Sequence, residues 1–186
     1  MAPANEDELA DMMATGLAYQ GAAFIRYPRG NAVGTLIKEK PETIEVGKAK
    51  RLQSGSDIDI WAIGTMVTDA EELARSLREH GIDAGVVNAR FVKPLDTVLL
   101  AESAQSTRLI VTIEDHVITG GLGSAVIEAL QSADLQRCPV ERIGWPDAFI
   151  EHGSSVNKLR DENGLSPKTI LECVMARFAK LAAVQT

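Results

Sequence analysis

Arg26 and Arg29 stand three residues apart, directly after the apolar run 22–25. Such a run is typical of a buried parallel strand, and Pro28 and Gly30 then predict a rigid turn. Guanidinium groups at the carboxyl end of a strand lie where open α/β sheets bind ligands, and each presents a planar fork that suits a phosphate or a carboxylate. An anion site is therefore one interpretation of the segment. The alternative is that both arginines form structural ion pairs.

A second group of polar residues, Glu114, Asp115 and His116, follows the predicted strand 109–113. Carboxylates beside an imidazole could carry out acid–base chemistry, or they could pair with charges at a domain interface. The glycine-rich stretch 119–124 then opens a predicted helix, but it lacks the spacing and the lysine of nucleotide-binding loops. Its glycines indicate a close approach of the backbone to a neighbouring chain or domain. The helix N-terminus favours a nearby anion or carboxylate.

Four further charged side chains are weaker candidates. Arg90 and Lys93 could attract an anion, but turn geometry and inter-domain ion pairing are the favoured interpretation. His80 precedes a glycine at a predicted helix C-terminus, which suits a capping role, and His152 is predicted to lie on a loop. The sequence has no metal-ligand spacing of His, Cys and Asp, and no convincing Ser/His/Asp arrangement.

The first thirty residues predict one helix and one strand. Asn5 is a good N-cap, with Glu8 three residues later, and apolar side chains at 9, 12, 13, 17 and 19 predict the inward face of the helix. A strand follows at 22–27. Because two elements cannot bury both faces of a strand, we interpret this part as the end of a domain whose body lies elsewhere. Residues 31–56 read as a linker with a possible short strand at 43–46.

From residue 57 onward, strands and helices alternate. Predicted strands cover 58–63, 84–88, 109–113 and 140–143, and predicted helices cover 69–80, 97–104, 124–132, 155–162 and 167–182. Asp96 is a predicted cap of the helix that follows it. This order predicts an α/β fold, a three-layer α/β/α sandwich with a mostly parallel sheet and right-handed crossovers.

Composition narrows the class of protein. The formal net charge is −7, which argues against sequence-independent nucleic-acid binding, so an anionic substrate would need a local group of arginines. No apolar run approaches the length of a membrane span, and no signal peptide is evident, so we expect a cytoplasmic protein with no membrane or nucleic-acid partner. Cys138 and Cys173 have no metal or disulfide spacing and are expected to be inert core or sub-surface thiols.

Several motifs resemble one enzyme family in order and spacing. Residues 26–34 read RYPRGNAVG, 90–96 read RFVKPLD, 114–124 read EDHVITGGLGS and 144–150 read GWPDAFI, and the chain opens with MAPANEDEL at 1–9. Together they resemble the 1-deoxy-D-xylulose-5-phosphate synthase family, in the thiamine-diphosphate-dependent transketolase superfamily. The resemblance implies the C-terminal part of such an enzyme. Residues 1–30 would end the pyrimidine-binding domain, 31–56 would be a linker, and 57–186 would form a transketolase-type C-terminal domain.

The resemblance also implies a parent activity. The family condenses pyruvate with glyceraldehyde 3-phosphate, with loss of CO2, to feed isoprenoid, thiamine and pyridoxal synthesis. It uses thiamine diphosphate and Mg²⁺, and it is homodimeric. Arg29 matches an arginine that contacts the acceptor phosphate, Arg26 matches a structural position, and His116 stands where the family usually has asparagine.

The family's cofactor motif and its activating glutamate have no counterpart in this sequence. We therefore expect no catalytic, cofactor-binding or metal-binding residue here, and a chain that alone is inactive and holds no thiamine diphosphate. Two alternatives remain open. One is another superfamily member, either a transketolase or a 2-oxoacid dehydrogenase β subunit. The other is a non-catalytic dimerisation or interaction module.

Overall fold

A single five-stranded sheet organises the chain. The computed structural model describes residues 1–29, 34–153 and 155–184. The strands are β1 (Lys50–Gln53), β2 (Ile58–Ala62), β3 (Ala84–Asn88), β4 (Leu109–Val117) and β5 (Val140–Trp145). The helices are α1 (Glu6–Ala18), α2 (Met66–Glu79), α3 (Thr97–Ser106), α4 (Leu122–Ser132), α5 (Val156–Glu162) and α6 (Pro167–Val184). The strand order is β1-β3-β2-β4-β5. β1 pairs antiparallel with β3, and the other neighbours are parallel.

Helices cover both faces of the sheet, which confirms the predicted three-layer α/β/α sandwich. On one face, Ile58 and Ile60 of β2 pack with side chains of α2 and α6. On the other face, Trp61 of β2 packs with Leu100 of α3 and Val126 of α4. Every residue of β2 and β3 is buried, as expected for parallel strands between two helical layers.

The sequence prediction is close for most elements of the sandwich. β3 coincides with its prediction, whereas β4 runs four residues further, to Val117. Asp96 caps α3 as expected, because its side chain accepts a hydrogen bond from the Leu99 amide at 3.1 Å. Ser155 caps α5 in the same way.

The short strand predicted at 43–46 is wrong, since the strand forms instead at Lys50–Gln53 and joins the sheet as β1. The physical reason is an ion pair: Arg51 Nη1 lies 3.0 Å from Oδ1 and 2.8 Å from Oδ2 of Asp59, a fully buried residue of β2. A buried carboxylate needs such a partner, and the pair fastens β1 to the sheet. The proposed domain division at residue 57 stays a prediction.

Helix α1 buries its polar side. Asn5 caps it as predicted, accepting from the Glu8 amide at 2.9 Å. The predicted apolar face is wrong beyond Met12, because Leu17 is 86% exposed whereas Asp11 and Thr15 are buried. Hydrophobic periodicity therefore gives the wrong orientation for this helix.

The cause is a segment that lies along α1, residues 34–44, which we call the strap. Its backbone amides donate to α1 side chains in register: Gly34 and Thr35 to Glu6, Lys38 to Asp7, Glu42 to Asp11, and Ile44 to Thr15. The strap pairs with none of the strands that the structure describes, so its amides need other acceptors, and the carboxylates and hydroxyl of α1 supply them.

The predicted buried strand at 22–27 is also wrong. This segment pairs with no strand of the described chain, and Phe24 is 85% exposed. Its backbone is fastened at one place, where Phe24 O accepts from the Met1 amino group at 2.9 Å and the Arg26 amide donates to Met1 O at 3.0 Å. A strand needs a neighbour along its length, and the described residues provide none here.

Candidate functional site

A cavity of about 240 Å³ opens at the carboxyl edge of the sheet, beside the N-terminus of α4. Arg26, Glu114 and His116 line it together with the glycines Gly120 and Gly121. The structure thus brings Arg26 next to the Glu-Asp-His motif, two groups that the sequence placed separately at strand ends. Arg29 is not among the lining residues.

Glu114 occupies the N-terminus of α4. Its carboxylate accepts from the Leu122 amide at 2.7 Å and from the Gly123 amide at 2.8 Å, and the residue is only 3% exposed. A Cβ on Gly121 would lie 1.8 Å from Glu114 Oε2. The expected carboxylate at this helix end is therefore Glu114 itself, and Gly121 approaches its side chain, whereas Gly123 lies against Arg142 and Thr112. A contact of this loop with a neighbouring chain or domain stays a prediction. These glycines do not form a phosphate-binding loop, because the Glu114 carboxylate already accepts from the first amides of α4.

The next two residues of the motif have structural partners as well. Asp115 Oδ1 accepts from Trp145 Nε1 at 2.7 Å, and its backbone carbonyl accepts from Arg26 Nη1 at 2.9 Å. His116 is exposed, and its Nδ1 lies 2.8 Å from the Val117 carbonyl. Neither arrangement forms a carboxylate–imidazole pair that could transfer a proton to a substrate, which agrees with the interpretation of these charges as structural.

Arg160 of α5 links the end of β4 to α2. Its Nη2 lies 3.6 Å from Asp115 Oδ2, and its Nη1 lies 3.3 Å from Asp69 Oδ2. Burial raises the pKa of Asp69, and the Arg160 guanidinium opposes that rise. The network holds the carboxyl edge of β4 against two helices.

Arg29, the predicted phosphate ligand, is exposed. Within residues 1–29, 34–153 and 155–184, its guanidinium has no hydrogen-bond or ion-pair partner. The neighbouring Gly30 lies outside the described residues. Its role as a phosphate ligand stays a prediction.

Arg90 forms an ion pair that the sequence did not reveal in detail. Its Nε lies 2.7 Å from Glu8 Oε1, and Asn88 Nδ2 lies 3.0 Å from both Glu8 oxygens. This confirms ion pairing as the role of Arg90 and fastens α1 to the end of β3. Lys93 is exposed. Glu8 and Arg90 are 82 positions apart, so the sequence did not predict that they pair. It indicated only that Glu8 lies in a helix cap and Arg90 in a turn.

The remaining candidates do not form a site. The His80 ring nitrogen Nδ1 lies 2.8 Å from the Ser76 carbonyl at the end of α2, as expected for a cap, and His152 is exposed on a loop. Among the described residues, no group of three or more His, Cys, Asp or Glu side chains could hold a metal ion. Burial raises the pKa of the half-buried Cys138 thiol to about 11, which suits an inert thiol. Cys173 is exposed, contrary to the expectation of a covered position, and burial of part of its surface still raises its pKa.

Comparison with known proteins identifies the family of this chain. The family model of the transketolase C-terminal domain matches residues 47–170. The chain belongs to the family of transketolase C-terminal domains. The match begins at residue 47, just before β1, so the matched region includes every strand of the sheet. No helix in the described part of this transketolase-family chain is both long enough and apolar enough to cross a bilayer.

Relatives and solved structures refine the comparison. The chain is 48% identical to the 1-deoxy-D-xylulose-5-phosphate synthases of Acidobacterium capsulatum and Methylacidiphilum infernorum, over 92% of its own length and 27% of theirs. It thus spans about a quarter of these relatives. A split-gene transketolase, solved as an inactive β4 tetramer, superposes with a TM-score of 0.79 and 31% identity, over 96% of this chain and 56% of that one. A Campylobacter jejuni transketolase shares the fold at 17% identity, with a TM-score of 0.56 over 94% of this chain and 25% of its own.

Proposed function

We propose that this chain is the C-terminal part of a 1-deoxy-D-xylulose-5-phosphate synthase. The observation that carries the proposal is 48% identity over 92% of the chain to enzymes of that name, of which it spans 27%. The parent would condense pyruvate with glyceraldehyde 3-phosphate and release CO2 in the cytoplasm. The product would serve isoprenoid, thiamine and pyridoxal synthesis.

Arg29 is the substrate-binding residue that this chain would contribute. The residue is exposed, and no ion pair with a described residue would have to break when its guanidinium meets a phosphate. A planar fork donating two charge-assisted hydrogen bonds fits the phosphate of glyceraldehyde 3-phosphate, whereas pyruvate carries no phosphate. Arg29 should therefore determine the affinity for the acceptor rather than for the donor.

The residues described here do not fit thiamine diphosphate or its metal ion. The α4 N-terminus, a natural place for a diphosphate at this edge, holds the buried Glu114 carboxylate, which would repel another anion. We propose that thiamine diphosphate and Mg²⁺ bind to parts of the parent outside this chain. Calorimetry on this chain alone should show no cofactor binding in the micromolar range, and clear micromolar binding would contradict this division of roles.

The substrate pair separates this proposal from its rivals. The full-length parent should release CO2 from pyruvate in the presence of glyceraldehyde 3-phosphate and should not use xylulose 5-phosphate as a donor. The split-gene transketolase at 31% identity makes a transketolase the alternative to test. Turnover of xylulose 5-phosphate would favour the transketolase. Consumption of pyruvate without its condensation with the sugar phosphate would favour a 2-oxoacid dehydrogenase β subunit. No turnover of either donor would favour a non-catalytic interaction module.

Self-association is expected because the N-terminal region exposes large apolar side chains. These side chains belong to Met13, Leu17, Tyr19, Phe24, Tyr27, Leu36 and Ile37. Large apolar side chains on a surface are typical of interfaces when they form a patch, and a twofold contact is the commonest way to cover one. We propose a homodimer.

Light scattering should therefore report a dimer or a larger assembly for this chain. Leu17→Glu combined with Phe24→Glu should shift it toward the monomer, because two charges would enter the apolar contact. The matched control is Val98→Glu, on an exposed site of α3. A wild-type monomer would contradict the proposed homodimer.

A further inference from the structure

Hydrogen bonds hold the chain at one residue before Arg29 and at one residue after it. Three residues before it, Arg26 is bonded to the end of β4. Five residues after it, Gly34 is bonded to α1. We propose that Arg26 and Glu6 are positioning residues that hold Arg29 where it meets the acceptor phosphate. The inference rests on the phosphate-binding role proposed above for Arg29.

The anchor before Arg29 ends on the rigid sheet. Arg26 Nη1 donates to the Asp115 carbonyl at 2.9 Å, and the Arg26 amide donates to Met1 O at 3.0 Å. Asp115 is itself fixed by Trp145 and by Arg160. A side-chain bond across 89 positions of sequence thus holds segment 22–27, which pairs with no strand in the described part of the chain.

The hydrogen bonds after Arg29 connect the chain to the sheet through helix α1. Glu6 Oε1 accepts from the Gly34 amide at 2.6 Å and from the Thr35 amide at 2.8 Å, so one carboxylate oxygen fixes the start of the strap. Helix α1 is in turn joined to the end of β3 through the Glu8–Arg90 ion pair. Arg26 and Gly34, on the two sides of Arg29, are therefore both connected to the parallel strands of the sheet.

Anchoring near Arg29 matters because an arginine on a free segment must be ordered when it binds. Three residues of extended chain span only about 10 Å, so Arg26 restricts where Arg29 can lie. Holding the backbone beforehand lowers the entropy cost of binding. The gain should appear in the affinity for the phosphate-bearing acceptor. It should not appear in pyruvate affinity or in the rate at saturation.

The test uses the full-length parent and compares Arg26→Met, Glu6→Ala and Arg29→Ala. Arg26→Met keeps the apolar stem but removes the donors, and Glu6→Ala removes the acceptor. Each should raise the acceptor KM by about three- to ten-fold, the usual range for a lost hydrogen bond, with Glu6→Ala at the upper end because it loses two. The pyruvate KM and kcat should stay near wild type. Glu6→Gln keeps an acceptor oxygen and should raise the acceptor KM less than Glu6→Ala. Arg75→Met, on the exposed side of α2, is the matched charge-loss control.

A second measurement, hydrogen exchange by mass spectrometry on the same proteins, is independent of activity. Arg26→Met should speed exchange in peptides covering 24–28, and Glu6→Ala should speed exchange at Gly34 and Thr35, because each loses the bond that restrains it. Arg75→Met should leave both regions unchanged.

The outcomes separate this inference from the proposed function. If Arg29→Ala raises the acceptor KM while Arg26→Met and Glu6→Ala match Arg75→Met, the positioning role is overturned and the phosphate role of Arg29 stands. If Arg29→Ala leaves the acceptor KM unchanged, the phosphate role is overturned, and the positioning role falls with it. An equal rise in the acceptor and pyruvate KM values for Arg26→Met would also overturn the inference, since it would indicate general damage to the fold.

Discussion

Glu114→Ala is expected to lower the free energy of unfolding by about 3–4 kcal/mol. The carboxylate is buried and accepts from the Leu122 and Gly123 amides at the start of α4. Alanine would leave both donors buried without an acceptor and would remove the negative charge that complements the helix N-terminus. Glu114→Gln keeps one acceptor oxygen but turns an amide donor toward the second N–H, so its loss should be intermediate.

Gly121 should be as sensitive as Glu114, for a steric reason. A Cβ there would lie 1.8 Å from Glu114 Oε2 and 2.6 Å from its Cδ, so Gly121→Ala must displace the cap. The matched control is the adjacent Gly120, which has φ +77° but open space around its Cβ position. Gly120→Ala should cost only about 1 kcal/mol, the usual cost of a left-handed conformation for alanine.

Urea denaturation of this chain measures both effects. Glu114→Ala and Gly121→Ala should each lower the midpoint by about 1.5 M, with an unchanged slope. Because Gly121 has φ −92°, which any residue adopts, similar midpoints for Gly120→Ala and Gly121→Ala would contradict the proposed clash with Glu114.

Arg29→Ala in the full-length parent should raise the KM for glyceraldehyde 3-phosphate by about 10- to 150-fold. The range corresponds to hydrogen bonds with a charged partner, about 1.5–3 kcal/mol. The pyruvate KM should change less than about two-fold, because pyruvate has no phosphate for this fork to bind. Initial rates with each substrate varied in turn provide the two constants.

Arg29→Lys distinguishes geometry from charge. It keeps a positive charge but loses the planar fork, so its acceptor KM should lie between those of the wild type and Arg29→Ala. Arg75→Met again controls for the loss of a surface charge. Equal rises in both KM values for Arg29→Ala would remove Arg29 from the acceptor site.

The sandwich was largely predictable because its signals are local. The apolar runs of β2 and β3, the amphipathic pattern of α2 and the cap residue Asp96 each depend on neighbouring positions along the chain. The α4 N-terminus was predictable in part. The sequence indicated that an anion or a carboxylate would lie there, but it did not identify Glu114 as that carboxylate, because this depends on the turn between β4 and α4.

The errors arose where distant partners decide the structure. Helix α1 turns Asp11 and Thr15 inward because amides of the strap need acceptors, a requirement that hydrophobic periodicity does not contain. β1 has little apolar character and exists because Arg51 reaches the buried Asp59. The bond from Arg26 to the Asp115 carbonyl joins two groups that the sequence placed only at strand ends.

The phosphate preference of the acceptor tests the central claim most directly. The measured quantity is the ratio of kcat/KM for glyceraldehyde 3-phosphate to kcat/KM for unphosphorylated D-glyceraldehyde, with pyruvate saturating, in the full-length parent and in its Arg29→Ala variant. If Arg29 binds the phosphate, the ratio should fall by about 10- to 150-fold in the variant, with activity toward D-glyceraldehyde nearly unchanged. A variant that keeps the wild-type ratio would contradict the claim that this arginine binds the acceptor phosphate.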